Sequence, residues 1–419
     1  MSSDSLATTD HLQRRQLGAL RLGLLLTAAI GGLALIGRQG DPATRKILAG
    51  EALPIAAVVA LTGNANLYGQ DQRDGLLLAE QWFNKSSAQR LLRLQIEDGG
   101  SDEASAIAAF NLLIRKGVLA LIGPTLSQQA FAADPIAQRS GVPVVAASNT
   151  AMGIPEIGSF ITRVSAPSSK VAPLSIKEAL QRNPHLKRVA VFYAQDDAYS
   201  TAETSIFQKS LQAAGLPPVS VQRTQLADND FQNPISAALR QKPELVVISA
   251  QAVDGGNLVR QLRELGYRGQ IVVGNGLNTP NIYPICQRWC HGILIAQAYS
   301  PELDSAVNKA LVRLYRQGHG GKFPPQITAQ AFTAYQVLFE SIQRLQTSGG
   351  FQQQNLEQAR QRLKLELLRG TYSTPLGSLS FNKDGDVVQQ HFFVAEVQMN
   401  PEGSSGRFAL VRQRSLGSE

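Results

Sequence analysis

From about residue 51 onward, short apolar runs alternate with longer stretches that repeat at helical spacing. The runs at 56–61, 91–97, 118–122 and 142–147 are too short for helices and read as buried strands. Between them, 70–84, 102–116 and 127–139 carry a helical period. In the second of these, Ala104, Ile107, Ala108, Leu112 and Ile114 fall near one face. Pro135 predicts a kink or break in the third. The pattern then restarts, with strands at 187–194, 245–250 and 270–274 and helices at 200–214, 231–241 and 257–265. Uniformly apolar strands separated by helices are the pattern of parallel βαβ units, whose sheets are covered on both faces. The segments AFNLLIRKGVLALIGP (109–124) and ISAALRQKPELVVISA (235–250) share a helix, a basic turn and a strand ending in small residues. Two similar α/β halves fit this better than one large sheet.

The last third changes order. A strand at 292–298 is followed by helices at 305–316, 326–345 and 355–369. Short strands at 377–381 and 391–397 follow, joined by the turn Asn382-Lys383-Asp384-Gly385-Asp386. That turn lacks the ligand spacing and closing Glu of a calcium loop, so no metal site is expected there. Beyond Asn400 the chain is polar and is expected to be a mobile tail.

Ahead of this region, Arg14, Arg15 and Arg21 precede an uninterrupted run of apolar, Gly and Thr residues at 22–36. The run is shorter than the about 20 residues of a spanning helix and suits the apolar part of an export signal. Neither a good A-x-A cleavage site nor a lipid-accepting Cys follows it, so the segment is read as an export signal or a retained N-terminal anchor. Charge adds little. The net +8 is spread along the chain without a block of basic residues or interleaved aromatics, which argues against a nucleic-acid partner. The 419 residues are enough for two or three domains. The two cysteines, Cys286 and Cys290, lie near His291 but match no standard zinc spacing. A local disulfide in an oxidising compartment and a pair of free buried thiols both remain open.

The chemistry of an enzyme is missing. There is no G-x-S-x-G, the five His residues sit in no catalytic motif, and the loop after the first strand, LTGNANLYG, is neither a dinucleotide nor a P-loop fingerprint. No cofactor is expected. What the strand ends do carry is small polar residues, at the edge where open α/β sheets bind ligands. Ser127 opens the 127–139 helix, whose hydroxyl and first-turn amides suit a carboxylate. Ser148, Asn149 and Thr150 follow the strand VPVVAA and could close the other side of that anion. Tyr68 ends the first loop, and Tyr199 follows the strand KRVAVFYA; each could cover an apolar ligand group.

The ordered set VVALTGNANLYG, DGLLLAEQWFN, LQIEDGGSDEASAIAAFNLLIRKGVLALIGPTLSQQA, GVPVVAASNT, FITRVS, KRVAVFYAQDDAYS, DFQNPISAALRQKPELVVISA, LVRQLRELGY and GSLSFNKDGD resembles the type I periplasmic solute-binding proteins of the leucine/isoleucine/valine class. These are receptor subunits of ABC importers, and the likeness spans about residues 52–398. It implies two Rossmann-like α/β lobes with parallel sheets, joined by three hinge crossovers, that close on a small ligand. The lobes are expected at 51–165 plus 296–375 and at 166–295 plus 376–398, between an N-terminal segment at 1–50 and a tail at 399–419. The resemblance gives Ser127 and Thr150 the ligand carboxylate, with the backbone at Ser148, and makes Tyr68 and Tyr199 walls of the cleft. Asn275 stands where amino-acid-binding members carry an acid for the ligand ammonium, and Gln251 stands where they carry a Tyr. Asp196, Asp197 or Asp254 is then the candidate for a substitute carboxylate. The implied protein is a monomeric, exported receptor for an amino acid or amino-acid-like compound, partnered by a permease and an ATPase. A membrane-anchored sensor of amides, urea-like compounds or carboxylates is the other expectation.

Overall fold

The computed structural model describes residues 52–86, 91–351 and 354–415. The proposed export signal or anchor at 22–36 lies outside the described residues. Among those described, no helix is long and apolar enough to cross a membrane.

The first half builds a five-stranded parallel sheet from β1 (Leu53–Val59), β2 (Leu92–Asp98), β3 (Ala120–Ile122), β4 (Val144–Ala146) and β5 (Ile161–Arg163), in the order β2-β1-β3-β4-β5. Its crossovers carry α1 (Asn66–Ser86), α2 (Glu103–Arg115) and α3 (Ser127–Arg139). Strand β1 shows why its sequence reads as an apolar run rather than an alternation. Ile55, Ala57 and Val59 pack into the core on one face, and Ala56 and Val58 into the core on the other. Alternate side chains point to opposite faces, and both faces are covered. Helix α3 runs unbroken through Pro135, contrary to the expected kink.

The second sheet has seven strands in the order β15-β14-β10-β9-β8-β6-β7. Strands β6 (Val189–Ala194), β7 (Ser220–Thr224), β8 (Leu245–Ser249), β9 (Gln270–Val273) and β10 (Leu294–Gln297) pair in parallel. Around them lie α4 (Ser168–Arg182), α5 (Ala198–Ala213), α6 (Gln232–Leu239) and α7 (Ala252–Glu264). The chain then returns to the first sheet. There α8 (Ala306–Gly318), α9 (Gln326–Thr347), α10 (Leu356–Arg369) and the small sheet β11 (Tyr372–Thr374), β12 (Gly377–Phe381) and β13 (Val387–Gln389) share the core of β1. Strands β14 (His391–Met399) and β15 (Gly406–Ser415) complete the second sheet in antiparallel pairing.

Three expectations change. The turn at 382–386 joins β12 to β13, not to the strand at 391–397. Leu379 and Phe381 are buried in the first lobe's core, so the third crossing falls between Gln389 and His391 rather than at 375. The segment expected to be a mobile tail is largely an edge strand. Arg412 of β15 pairs with Glu178 at 2.6 Å, and Arg414 donates to Gln181 at 3.0 Å. Basic residues on an edge strand discourage further strand addition.

Candidate functional site

Both sheets direct their carboxyl strand ends at one cavity between the lobes, where open α/β folds bind ligands. It encloses about 490 Å³, its open mouth included. Tyr68, Ser127, Ser148, Thr150, Tyr199, Gln251 and Asn275, all singled out in the sequence, line it together. None of its lining residues carries a formal charge.

The first lobe supplies hydroxyls. Thr125 Oγ1 accepts from the Ala60 amide at 2.9 Å and donates to Gln72 Oε1 at 2.5 Å. Gln72 Nε2 donates to Ser148 Oγ at 3.0 Å, and Ser148 Oγ donates to the Thr125 carbonyl at 2.6 Å. This ring fixes the ends of β1, β3 and β4 against α1 and uses up the Ser148 hydroxyl. Ser127 Oγ accepts only a long bond from the Ala151 amide at 3.4 Å, and its proton is free for a ligand. Thr150 lines the cavity with a hydroxyl that no protein group engages. Ser127 is the first residue of α3, where the helix dipole favours negative charge, and Thr150 lines the same cavity from the loop after β4.

Asn149 does not line the cavity. It is fully buried, with its amide directed at the Thr125 carbonyl at 3.4 Å and its own carbonyl accepting from Ser165 Oγ at 2.9 Å. It shapes the loop that presents Thr150. Buried Arg163 reinforces that loop by donating to the Ala151 carbonyl at 2.6 Å while pairing with Asp386 at 2.7 Å. The Asp-rich turn is therefore a brace for the site, a role its sequence did not disclose.

The second lobe supplies amides backed by acids. Tyr199 Oη accepts from the Gly276 amide and donates to Glu203 Oε2, both at 2.6 Å. Tyr68, from the first lobe, accepts from the Ala252 amide at 2.6 Å and donates to the Gly276 carbonyl at 2.5 Å. A Cβ on Gly276 would lie 2.1 Å from the Ala250 carbonyl, so only glycine lets this backbone sit between the two tyrosines. Burial pushes both phenols well above their ordinary values and keeps them protonated. Glu203 lies one layer behind the wall, where it also accepts from Ser249 Oγ and the Asn275 amide, each at 3.1 Å. Burial pushes its carboxyl up to about 7.

Asp197 caps α5, accepting from the amide and hydroxyl of Ser200, and also receives Gln251 Nε2 at 3.0 Å. That leaves the Gln251 carbonyl for the cavity. Asn275 Oδ1 accepts from Gln326 Nε2 at 2.8 Å, leaving its amino group. Asp196, Asp197 and Asp254 do not line the cavity, so none supplies the direct carboxylate for which each was a candidate. Asp196 accepts from the Leu226 amide at 3.0 Å, and Asp254 is buried and pushed up to about 8 by that burial.

At the rim, Asp71 of the first lobe accepts from Asn281 Nδ2 at 3.1 Å and Thr279 Oγ1 at 3.4 Å in the second. Burial first, and then neighbouring Asp74, push it up to about 7. Farther off, Cys286 and Cys290 are joined, with Cα atoms 5.4 Å apart. Among the described residues no cluster of metal-ligating side chains occurs.

Sequence reasoning missed Gln326 and Gln330 of α9, Thr125 and Asn278, all of which line the cavity, and Glu203 behind it. A polar residue in a helix interior reads as a surface position. The apolar residues of α9, among them Ala329, Phe332, Val337 and Leu338, mark a buried helix, but its interspersed Gln and Thr residues gave no sign that they face a cavity.

Residues 52–406 match the family described as periplasmic binding protein. Among curated relatives, the leucine-, isoleucine-, valine-, threonine- and alanine-binding protein of Pseudomonas aeruginosa is 25% identical, over 90% of this chain and 96% of its own length. The Leu/Ile/Val-binding protein BraC3 of Rhizobium johnstonii is 23% identical, over 81% of this chain and 90% of its own. Among solved structures, the leucine-binding protein LivK of Thermotoga maritima superposes with a TM-score of 0.75 at 24% identity, covering 87% of this chain and 99% of its own. A solute-binding protein of an ABC transporter from Rhodopseudomonas palustris, in complex with 3,4-dihydroxybenzoic acid, gives 0.76 at 19% identity, covering 87% and 97%. The chain belongs to the periplasmic binding protein family, as a type I member that binds its substrate and does not transform it.

Proposed function

We propose that this protein, once exported, captures a small polar ligand of amino-acid type between its lobes and delivers it to an ABC importer. The observation that carries this reading is the polarity of the cavity. Hydroxyls of Ser127, at the positive end of α3, and of Thr150 line it together with Gln251, whose side chain donates to Asp197, and Asn275, whose backbone amide donates to Glu203. A carboxylate suits the first wall. A hydrogen-bond donor, charged or neutral, suits the second. Closure is the mechanism. The bonds of Tyr68 to Gly276 and Ala252, and of Asp71 to Asn281, join the two lobes and form only when they approach. A ligand touching both walls favours that state by its differential contacts.

The test is a thermal-shift screen of the full-length protein with the L-amino acids, short carboxylic acids and amides, since a ligand of the native state raises its melting temperature. A rise of several degrees with one class is expected. No shift with any member would refute the reading.

A further inference from the structure

Helix α9 contributes to the cavity wall, and most of its buried polar side chains bond protein groups, although the Gln336 side-chain oxygen, away from the cavity lining, does not. Gln326 donates to Asn275 and accepts from the Ala298 amide. Thr328 donates to the Asp71 carbonyl, Thr333 to the Ala329 carbonyl, and Gln336 to the Ser373 carbonyl; Ser341 bonds the Tyr372 hydroxyl. Gln330 is only 2% exposed, lines the cavity, and has no hydrogen-bond partner for its amide among the described residues. It lies one turn beyond Gln326, on the same face of the helix. Burying such an amide without partners is unfavourable, and a site of this kind rejects molecules that leave it unpaired.

We infer that Gln330 is a specificity-determining residue, and that the ligand bears, besides its carboxylate, a neutral hydrogen-bonding group such as a side-chain hydroxyl, amide or ureido that pairs with it. The inference rests on the proposal that this cavity holds a carboxylate at Ser127 and Thr150. The group facing Gln330 is neutral because a primary amide pairs donor to acceptor and acceptor to donor with a neutral polar group, and no helix terminus or charged side chain is there to balance an ionised one. Leu126 and Ile327 supply the apolar part of the wall, so the ligand combines a short hydrocarbon body with that polar end. A purely aliphatic side chain would press methyl groups against the unpaired amide.

The experiment is calorimetric titration of the full-length protein with two near-isosteric pairs, L-threonine against L-valine and L-asparagine against L-leucine. The expected result is that the polar member of at least one pair binds about ten-fold or more tightly than its partner. The variant Gln330→Leu should erase or reverse that preference without lowering the ligand-free melting temperature. If it fails to fold, Gln330→Met, unbranched and of similar length, replaces it. Aliphatic members that bind as tightly as their polar partners, or a preference that survives in the variant, would overturn the inference while leaving the binding function intact. If no carboxylic acid of either kind binds, the underlying reading falls and the inference falls with it.

Discussion

The two walls of the cleft solve opposite problems. The first-lobe wall is made of hydroxyls at strand ends and the start of α3, with no acid among its lining residues. The second-lobe wall looks equally neutral from the cavity, yet Glu203 and Asp197 lie just behind it, each bonded to a residue that lines the cavity. One wall thus favours negative charge directly, and the other favours positive polarity from a second layer. The lesson is that a lining without an acid, Asn275 included, still has two carboxyl groups in contact with it from behind.

The largest expected effect breaks the first wall. Ser127→Ala combined with Thr150→Ala removes both hydroxyls and should weaken binding of a carboxylate ligand on the order of a hundred-fold, because hydrogen bonds to a charged group are among the stronger ones. Calorimetry of the double variant checks this, and unchanged affinity would show that the carboxylate does not lie there. Next comes the bridge between the walls. Tyr68→Phe leaves the Gly276 carbonyl and Ala252 amide without their cross-cleft partner. Affinity should fall about ten-fold, with a more open ligand-free protein by energy transfer between labels on the two lobes.

The second wall is tested by pH. Glu203 and Asp71 are pushed up to about 7, and Asp254 to about 8. A carboxyl held higher in the folded state than in the unfolded chain binds its proton more tightly when folded. Its contribution is therefore complete below the unfolded value of about 4 and is lost as pH rises through 7 to 8. The melting temperature of the ligand-free protein should decline from pH 5 to pH 8, and Glu203→Gln should flatten part of that decline. A profile that is level or rising would mean that the acids behind this wall are not held protonated. The smallest effect belongs to the rim. Asp71→Asn keeps an acceptor oxygen for Asn281 and Thr279 and should change ligand affinity at pH 7 by no more than about two-fold, as calorimetry would show.

How much of this was legible in the sequence follows from where each residue sits. Uniformly apolar strands such as 245–249 and strongly periodic helices announce themselves, because burial on two faces leaves no room for polar residues. Helix α4 was missed because Pro167 and Pro173 interrupt its period, although Pro167 caps it and Pro173 lies inside it. Strand β15 was missed because its short apolar run, Phe408 to Val411, is flanked by Arg407 and by Arg412 and Arg414, and reads as part of a polar tail. At the site, Ser127, Ser148 and Thr150 were marked by their place after strand ends, where open sheets leave a crevice, whereas the adjacent Asn149 proved to be a buried brace. Glu203 and Gln330 were not, because each lies within a helix. Glu203 is covered by Tyr199, Ser249 and Asn275 of its own lobe, and Gln330 is read as a surface position until the packing of α9 buries it.

The proposed function requires closure of the cleft around a ligand held at the first wall. The direct measurement is small-angle scattering of the full-length protein, with and without the screened compound that raises its melting temperature most. The wild type should become more compact on adding that compound, and the Ser127→Ala/Thr150→Ala variant should not. Equal dimensions with and without ligand in the wild type, or undiminished compaction in the double variant, would contradict it.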